Sequence, residues 1–120
     1  MNTEKLKYLD QAIQWARNRA ASDIRSVHDE FEDTQLFKNN NSDEHVQPDL
    51  SFKNSSGVKS YTEISLKTDT PQKLVTRWKL LSLLASLRNG KLFLLTPKGH
   101  KMFTQKLVSQ YGIQAEIYSI

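Results

Sequence analysis

The chain has 120 residues, enough for one domain with a single core, and its 38% hydrophobic and 25% charged content suits a compact domain with polar loops. It has no cysteine, which excludes a disulfide scaffold, a thiolate zinc site and a cysteine nucleophile. Charge is unevenly spread: six Lys/Arg face ten Asp/Glu up to residue 49, whereas eleven face three afterwards, a balance of −4 followed by +8. A basic C-terminal part suits a phosphate-binding surface. No apolar run approaches the ~20 residues that span a bilayer. The polar start Met1-Asn2-Thr3-Glu4-Lys5 predicts no signal peptide, and an intracellular, cytoplasmic location is expected.

From Thr3 to about Phe31, Leu6, Leu9, Ile13, Ala16, Ala20, Ile24 and Val27 recur at three- and four-residue steps, which predicts a long helix or two abutting ones. The acidic cluster 29–33 opposes the helix dipole and marks the end of the pattern, and residues 38–44 read as a polar loop. The period then changes. Val46, Pro48, Leu50 and Phe52 alternate with polar residues as a strand, Asn54-Ser55-Ser56-Gly57 is a turn, and 60–68 is a second strand. In the second strand Thr62, Ile64 and Leu66 face one way, and Tyr61, Glu63, Ser65 and Lys67 the other. The two strands form a hairpin whose carboxylates share a face.

Thr70-Pro71 opens a strongly apolar helix, with Thr70 as cap and Gly90 as its left-handed stop. Residues 91–95 form a short strand. Thr96-Pro97 opens a last helix with Met102, Phe103, Leu107 and Tyr111 inward, Gly112 ends it, and 113–120 is a closing strand. The predicted fold is α/β, a mixed β-sheet flanked by helices in the order α-β-β-α-β-α-β. His28, His45 and His100 lack metal-ligand spacing and read as surface residues, while Trp15 and Trp78 read as core.

Pro48-Asp49 on one strand, followed by Glu63-Ile64-Ser65-Leu66-Lys67 on the next, resembles the PD-(D/E)xK, or restriction-endonuclease-like, nuclease superfamily. The resemblance covers roughly residues 1–95. It implies a restriction-endonuclease-like core in which Asp49 and Glu63 bind Mg²⁺ or Mn²⁺ and Lys67 assists hydrolysis of a DNA phosphodiester. Two carboxylates suit Mg²⁺, which takes oxygen ligands and keeps several waters. The sequence departs from the family pattern at Ser65, which stands where the family lysine stands; Lys67 lies two residues further on. Glu30 or Glu32 is a candidate further metal ligand, and Lys73 and Arg77, four apart on the following helix, are candidate phosphate contacts. A homodimer is expected of any form that cuts both strands, since the chain offers one site. The alternative is a nuclease-like module without catalysis that binds nucleic acid or a protein partner.

Overall fold

The computed structural model describes residues 3–19, 21–27, 31–38 and 45–120. Helices α1 (Thr3–Leu6) and α2 (Leu9–Asn18) come first, then strand β1 (Ser22–Ser26) and a small ribbon of β2 (Phe37–Lys38) and β3 (His45–Val46). The hairpin β4 (Leu50–Lys53) and β5 (Lys59–Ile64) follows, then α3 (Pro71–Ser86), β6 (Leu92–Thr96), α4 (Lys101–Tyr111) and β7 (Glu116–Ser119). Five strands make one mixed sheet in the order β1-β4-β5-β6-β7. β4 is antiparallel to both neighbours, and β5, β6 and β7 run parallel. The expected α/β order is therefore present from β4 onward, with β1 and the ribbon added before it. No helix among the described residues is long and apolar enough to cross a membrane.

Strand alternation sorts the core into two layers. On one face Leu9 and Ala12 of α2 meet Ile64, Leu66 and Leu95, while Ile13 and Ala16 meet Leu50, Phe52 and Phe93. On the other, Leu74, Val75, Trp78, Leu81 and Ala85 of α3 cover Tyr61, Leu92 and Leu94, with Leu107 of α4 beside them. β6 is buried along its whole length, as its unbroken Leu92-Phe93-Leu94-Leu95 run requires of a parallel strand covered on both faces. Trp78 is fully buried, and Trp15 packs edge-on against Phe52 and Phe93, so both serve the core.

Several expectations give way to tertiary context. The helical reading of 3–31 fails beyond Asn18, because Ser22–Ser26 pairs with β4, Ser26 opposite Leu50. Ile24 and Val27 fit a helical spacing, yet they are β-branched and β4 needs a partner for its backbone groups. Leu6 does not face the core; it is 51% exposed, while Lys5 beside it is 7% exposed. Val46 and Leu50 do not share one strand face either: Val46 pairs with Phe37 in the ribbon and packs under α3, and β4 begins only at Leu50.

The helix ends differ in detail. Thr70 occupies the N-cap of α3 and Pro71 its first turn, but the hydroxyl makes no capping bond. Asn89, with φ 61°, takes the left-handed position expected of Gly90. Gly90 is needed for a different reason, since a Cβ there would lie 1.9 Å from the Lys59 carbonyl oxygen. The last helix starts at Lys101, after a turn closed by the His100 N–H on the Pro97 carbonyl at 3.1 Å. Its inward positions are Thr104 and Leu107, flanked by Phe103 and Val108, whereas Met102 is 84% exposed and Tyr111 is exposed as well. Gly112 ends it with φ 60°, as expected. His100 is buried and accepts the Lys67 N–H at Nδ1, 2.9 Å, so it is no surface residue. His28 lies outside the described residues, and His45 is exposed.

Candidate active site

The turn Asn54–Val58 sets the register of the hairpin. The Asn54 N–H donates to the Val58 carbonyl, and its side-chain oxygen accepts the N–H groups of Ser56 and Val58. Leu50 then stands opposite Thr62, which brings Asp49 level with Glu63. The two acids are joined through backbone donors. Asp49 N–H donates to Glu63 Oε2 at 2.9 Å, and Ile64 N–H donates to Asp49 Oδ2 at 2.9 Å. Asp49 is 4% exposed and Glu63 is fully buried.

Each acid meets a cation from a different element. Arg77, two turns into α3, approaches Glu63 Oε1 with Nη2 at 2.7 Å and Nε at 2.8 Å. Its Nη2 also donates to the Gln47 carbonyl at 2.9 Å. Lys5 of α1 places Nζ 3.1 Å from Asp49 Oδ2. Its neighbour Glu4 accepts the Thr68 hydroxyl at 2.8 Å, so consecutive residues of α1 hold the chain before β4 and the loop after β5. The result is a quartet of two buried carboxylates, a buried ammonium and a partly exposed guanidinium.

Burial first, and the nearby Asp49 charge second, push the Glu63 carboxyl up from 4.5 to about 7, against the pull of Lys5 and Arg77. Burial alone pulls the Lys5 ammonium down, but Glu63 and Asp49 outweigh it and the net movement is upward. Arg77 behaves likewise, with burial lowering it and Glu63 raising it further. Both cations therefore stay charged at neutral pH. Glu63, raised to about 7, titrates there.

Asp49 and Lys5 lie in the wall of a cleft of about 490 Å³, which the N-terminal turn of α3, the ribbon and the loop after β5 enclose. Lys73 and Asp69 add charge to it, and Thr68 and Thr70 line it as well. Lys73 is exposed at this rim, where a phosphate contact is sterically open. Arg77 lines the cleft too, but its guanidinium is engaged by Glu63 and Gln47.

The other sequence candidates fall elsewhere. β5 ends at Ile64, and Lys67 lies beyond it, exposed and outside the cleft lining. The family lysine position has no space to offer. Ser65 is fully buried, and its hydroxyl shares a 2.6 Å hydrogen bond with Thr104 of α4. Glu32 is exposed and faces Arg25 at 3.5 Å, away from the cleft lining, and Glu30 lies outside the described residues. Sequence reasoning missed Lys5. Its signal was spacing: Lys5, Leu9, Ala12 and Ala16 follow three- and four-residue steps along the buried stripe, a lysine where an apolar residue is expected.

Two carboxylates are a suitable donor set for Mg²⁺, which is commonly held by one or two carboxylates with waters and substrate phosphate. Among the described residues no group of three or more His, Cys, Asp or Glu is placed to hold a metal, so a closed all-protein cage is not formed. Glu63 is fully buried with both oxygens accepting donors of the chain, and Asp49 Oδ2 faces Lys5, so an ion at this pair has to displace a cation of the quartet. Comparison with known proteins leaves the geometry to speak for itself: no family model, curated protein or solved structure matches the chain.

Proposed function

We propose that the chain is a divalent-metal-dependent nuclease of the restriction-endonuclease-like kind, hydrolysing DNA phosphodiesters with Asp49 and Glu63 as its acid pair. The observation that carries this reading is the cross-strand placement of Asp49 against Glu63, tied by two backbone hydrogen bonds, at a cleft that also holds Lys5 and Lys73. Asp49, in the cleft wall, and Glu63 behind it would hold Mg²⁺ or Mn²⁺, which supplies Lewis-acid polarisation of the phosphate and an activated water. Glu63, fixed by Arg77, orients the backbone of Asp49 through its N–H. Lys73 steadies a neighbouring phosphate from the rim, and the +8 balance after residue 49 supplies long-range attraction.

A second reading has its own support. Each acid already faces a cation of the chain, as in a nuclease-like module that binds nucleic acid or a protein without cutting. Purified wild type and Asp49→Ala compared on linear, branched and single-stranded DNA with Mg²⁺ and Mn²⁺ separate the two. Metal-dependent cutting lost in Asp49→Ala supports the nuclease; salt-sensitive binding with no cutting supports the module. Cutting that survives Asp49→Ala removes this site from the chemistry.

A further inference from the structure

A second cavity, of about 380 Å³, lies at the other end of the hairpin from Asp49, on the α2 side of the sheet. Arg19, Asn54, Ser60, Asn89 and Lys91 line it together with Phe52 and Phe93, and no carboxylate is among its lining residues. We infer that this pocket is an anion site that takes a phosphate group, as a phosphate monoester or as the free ion. The acid pair plays no part in it, so it stands whether or not the chain cuts DNA.

Three observations carry it. First, the Arg19 guanidinium, at the C-terminal end of α2, lies 4.9 Å from the Trp15 ring, 5.0 Å from Phe93 and 5.1 Å from Tyr118. These rings pack on one another with centroids 5.1 to 5.9 Å apart, so the cation rests on a fixed platform. Ring contacts use the face of a guanidinium and leave its in-plane N–H donors free. Among the described residues no oxygen accepts one of them. Second, the polar neighbours have their acceptors occupied and their donors unused. Asn54 Oδ1 accepts the Ser56 and Val58 N–H groups, which leaves its NH₂ to give. Ser60 Oγ accepts the Lys91 N–H at 3.1 Å and keeps its own O–H. Such a pocket calls for a ligand rich in acceptors. Third, Lys91 adds a second positive charge to that of Arg19. A phosphate monoester carries about two negative charges at neutral pH and several strong acceptor oxygens, which matches two cations among free donors.

The pocket is held open by its own backbone. Gly90 packs against the Lys59 carbonyl, and the Lys91 carbonyl accepts the Tyr61 N–H at 3.0 Å, so the loop after α3 is fixed before a ligand arrives. Glu116 is the counterweight. Its carboxylate feels the Arg19 charge, but it faces the Lys91 ammonium at 2.9 Å and accepts the Tyr118 hydroxyl at 3.2 Å. A bound phosphate competes with it for Lys91.

The test measures binding by calorimetry at constant ionic strength, with folding checked by circular dichroism. The probes are inorganic phosphate, deoxythymidine 5′-monophosphate, and a short single strand with or without a 5′-phosphate. Trp15 fluorescence locates the site, since the other tryptophan, Trp78, is fully buried. Wild type is expected to bind phosphate saturably with Kd about 1 mM or tighter. Arg19→Met should weaken binding at least about tenfold and Lys91→Met about threefold, while Lys106→Met, which removes the same charge from the exposed side of α4, leaves it unchanged. Glu116→Gln should tighten it about two- to fivefold, a gain that misfolding cannot produce, so the site stays testable if Arg19→Met does not fold. A strand that binds only when 5′-phosphorylated supports the site with a DNA end as its source; inorganic phosphate and the nucleotide binding alike support it with a free anion. Binding lost in Lys73→Met and kept in Arg19→Met puts the phosphate in the acid cleft and overturns the inference. No saturable binding of any probe overturns it as well.

Discussion

Replacing Arg77 by Met should destabilise the protein by an amount that grows with pH. The change keeps an apolar stem of similar length, and removes the two contacts to Glu63 Oε1 and the one to the Gln47 carbonyl. Breaking a buried ion pair from one side costs about 3–5 kcal/mol, and the partial exposure of Arg77 points to the lower end, about 3 kcal/mol at alkaline pH. The sign follows from Glu63, whose carboxyl in the fold is raised from 4.5 to about 7. Its contribution is fully present below the unfolded value and is lost as pH rises through 7. Arg77 opposes that rise, so its removal carries the loss to higher pH. At about pH 5 Glu63 is protonated with or without Arg77, and only hydrogen bonds worth about 1 kcal/mol are forfeited. Urea unfolding in EDTA at about pH 5 and about pH 8.5 measures both limits, and Glu63→Gln/Arg77→Met provides a background without the titrating group. Equal losses for Arg77→Met at the two pH values would refute the reasoning.

Two further substitutions test the packing around the site. Gly90→Ala should cost at least about 2 kcal/mol, because its Cβ has to displace the Lys59 backbone, and thermal unfolding will show it; an unchanged midpoint contradicts the close approach. Ser65→Lys, which restores the family spacing, should destabilise by about 3 kcal/mol or more, since it buries an ammonium and breaks the Thr104 bond; a stable, more active variant would show that α4 leaves room there.

How much of this was legible in the sequence depended on whether the deciding force was local. The β4–β5 turn and the start of α3 were readable because Asn54, Gly57 and Pro71 act on their own backbone. The facing of Tyr61, Glu63 and Ile64 followed from alternation alone, and so did the meeting of Asp49 with Glu63 once the hairpin was assumed. β1 was not readable, because Ser-Asp-Ile-Arg-Ser has one apolar residue and becomes a strand only where β4 offers its edge. Lys67 was misplaced by extending strand periodicity past Ile64, where the chain turns onto His100. Lys5 was overlooked because a lysine on a helix is ordinarily solvated, and only its place in the buried stripe marked it as different.

The two cations that complete the quartet arrive by routes of very different length. Arg77 lies 14 residues from Glu63 along the chain, within a single strand–helix unit, whereas Lys5 lies 44 residues from Asp49. Closing the longer loop costs about 1 kcal/mol more in chain entropy, and it requires β1 and the ribbon to be threaded between. The Glu63–Arg77 half is thus closed within one strand–helix unit, whereas the Asp49–Lys5 half depends on the chain's first helix reaching the hairpin. One wall of the cleft is therefore only as secure as the seating of a four-residue helix, which carries Lys5 against Asp49.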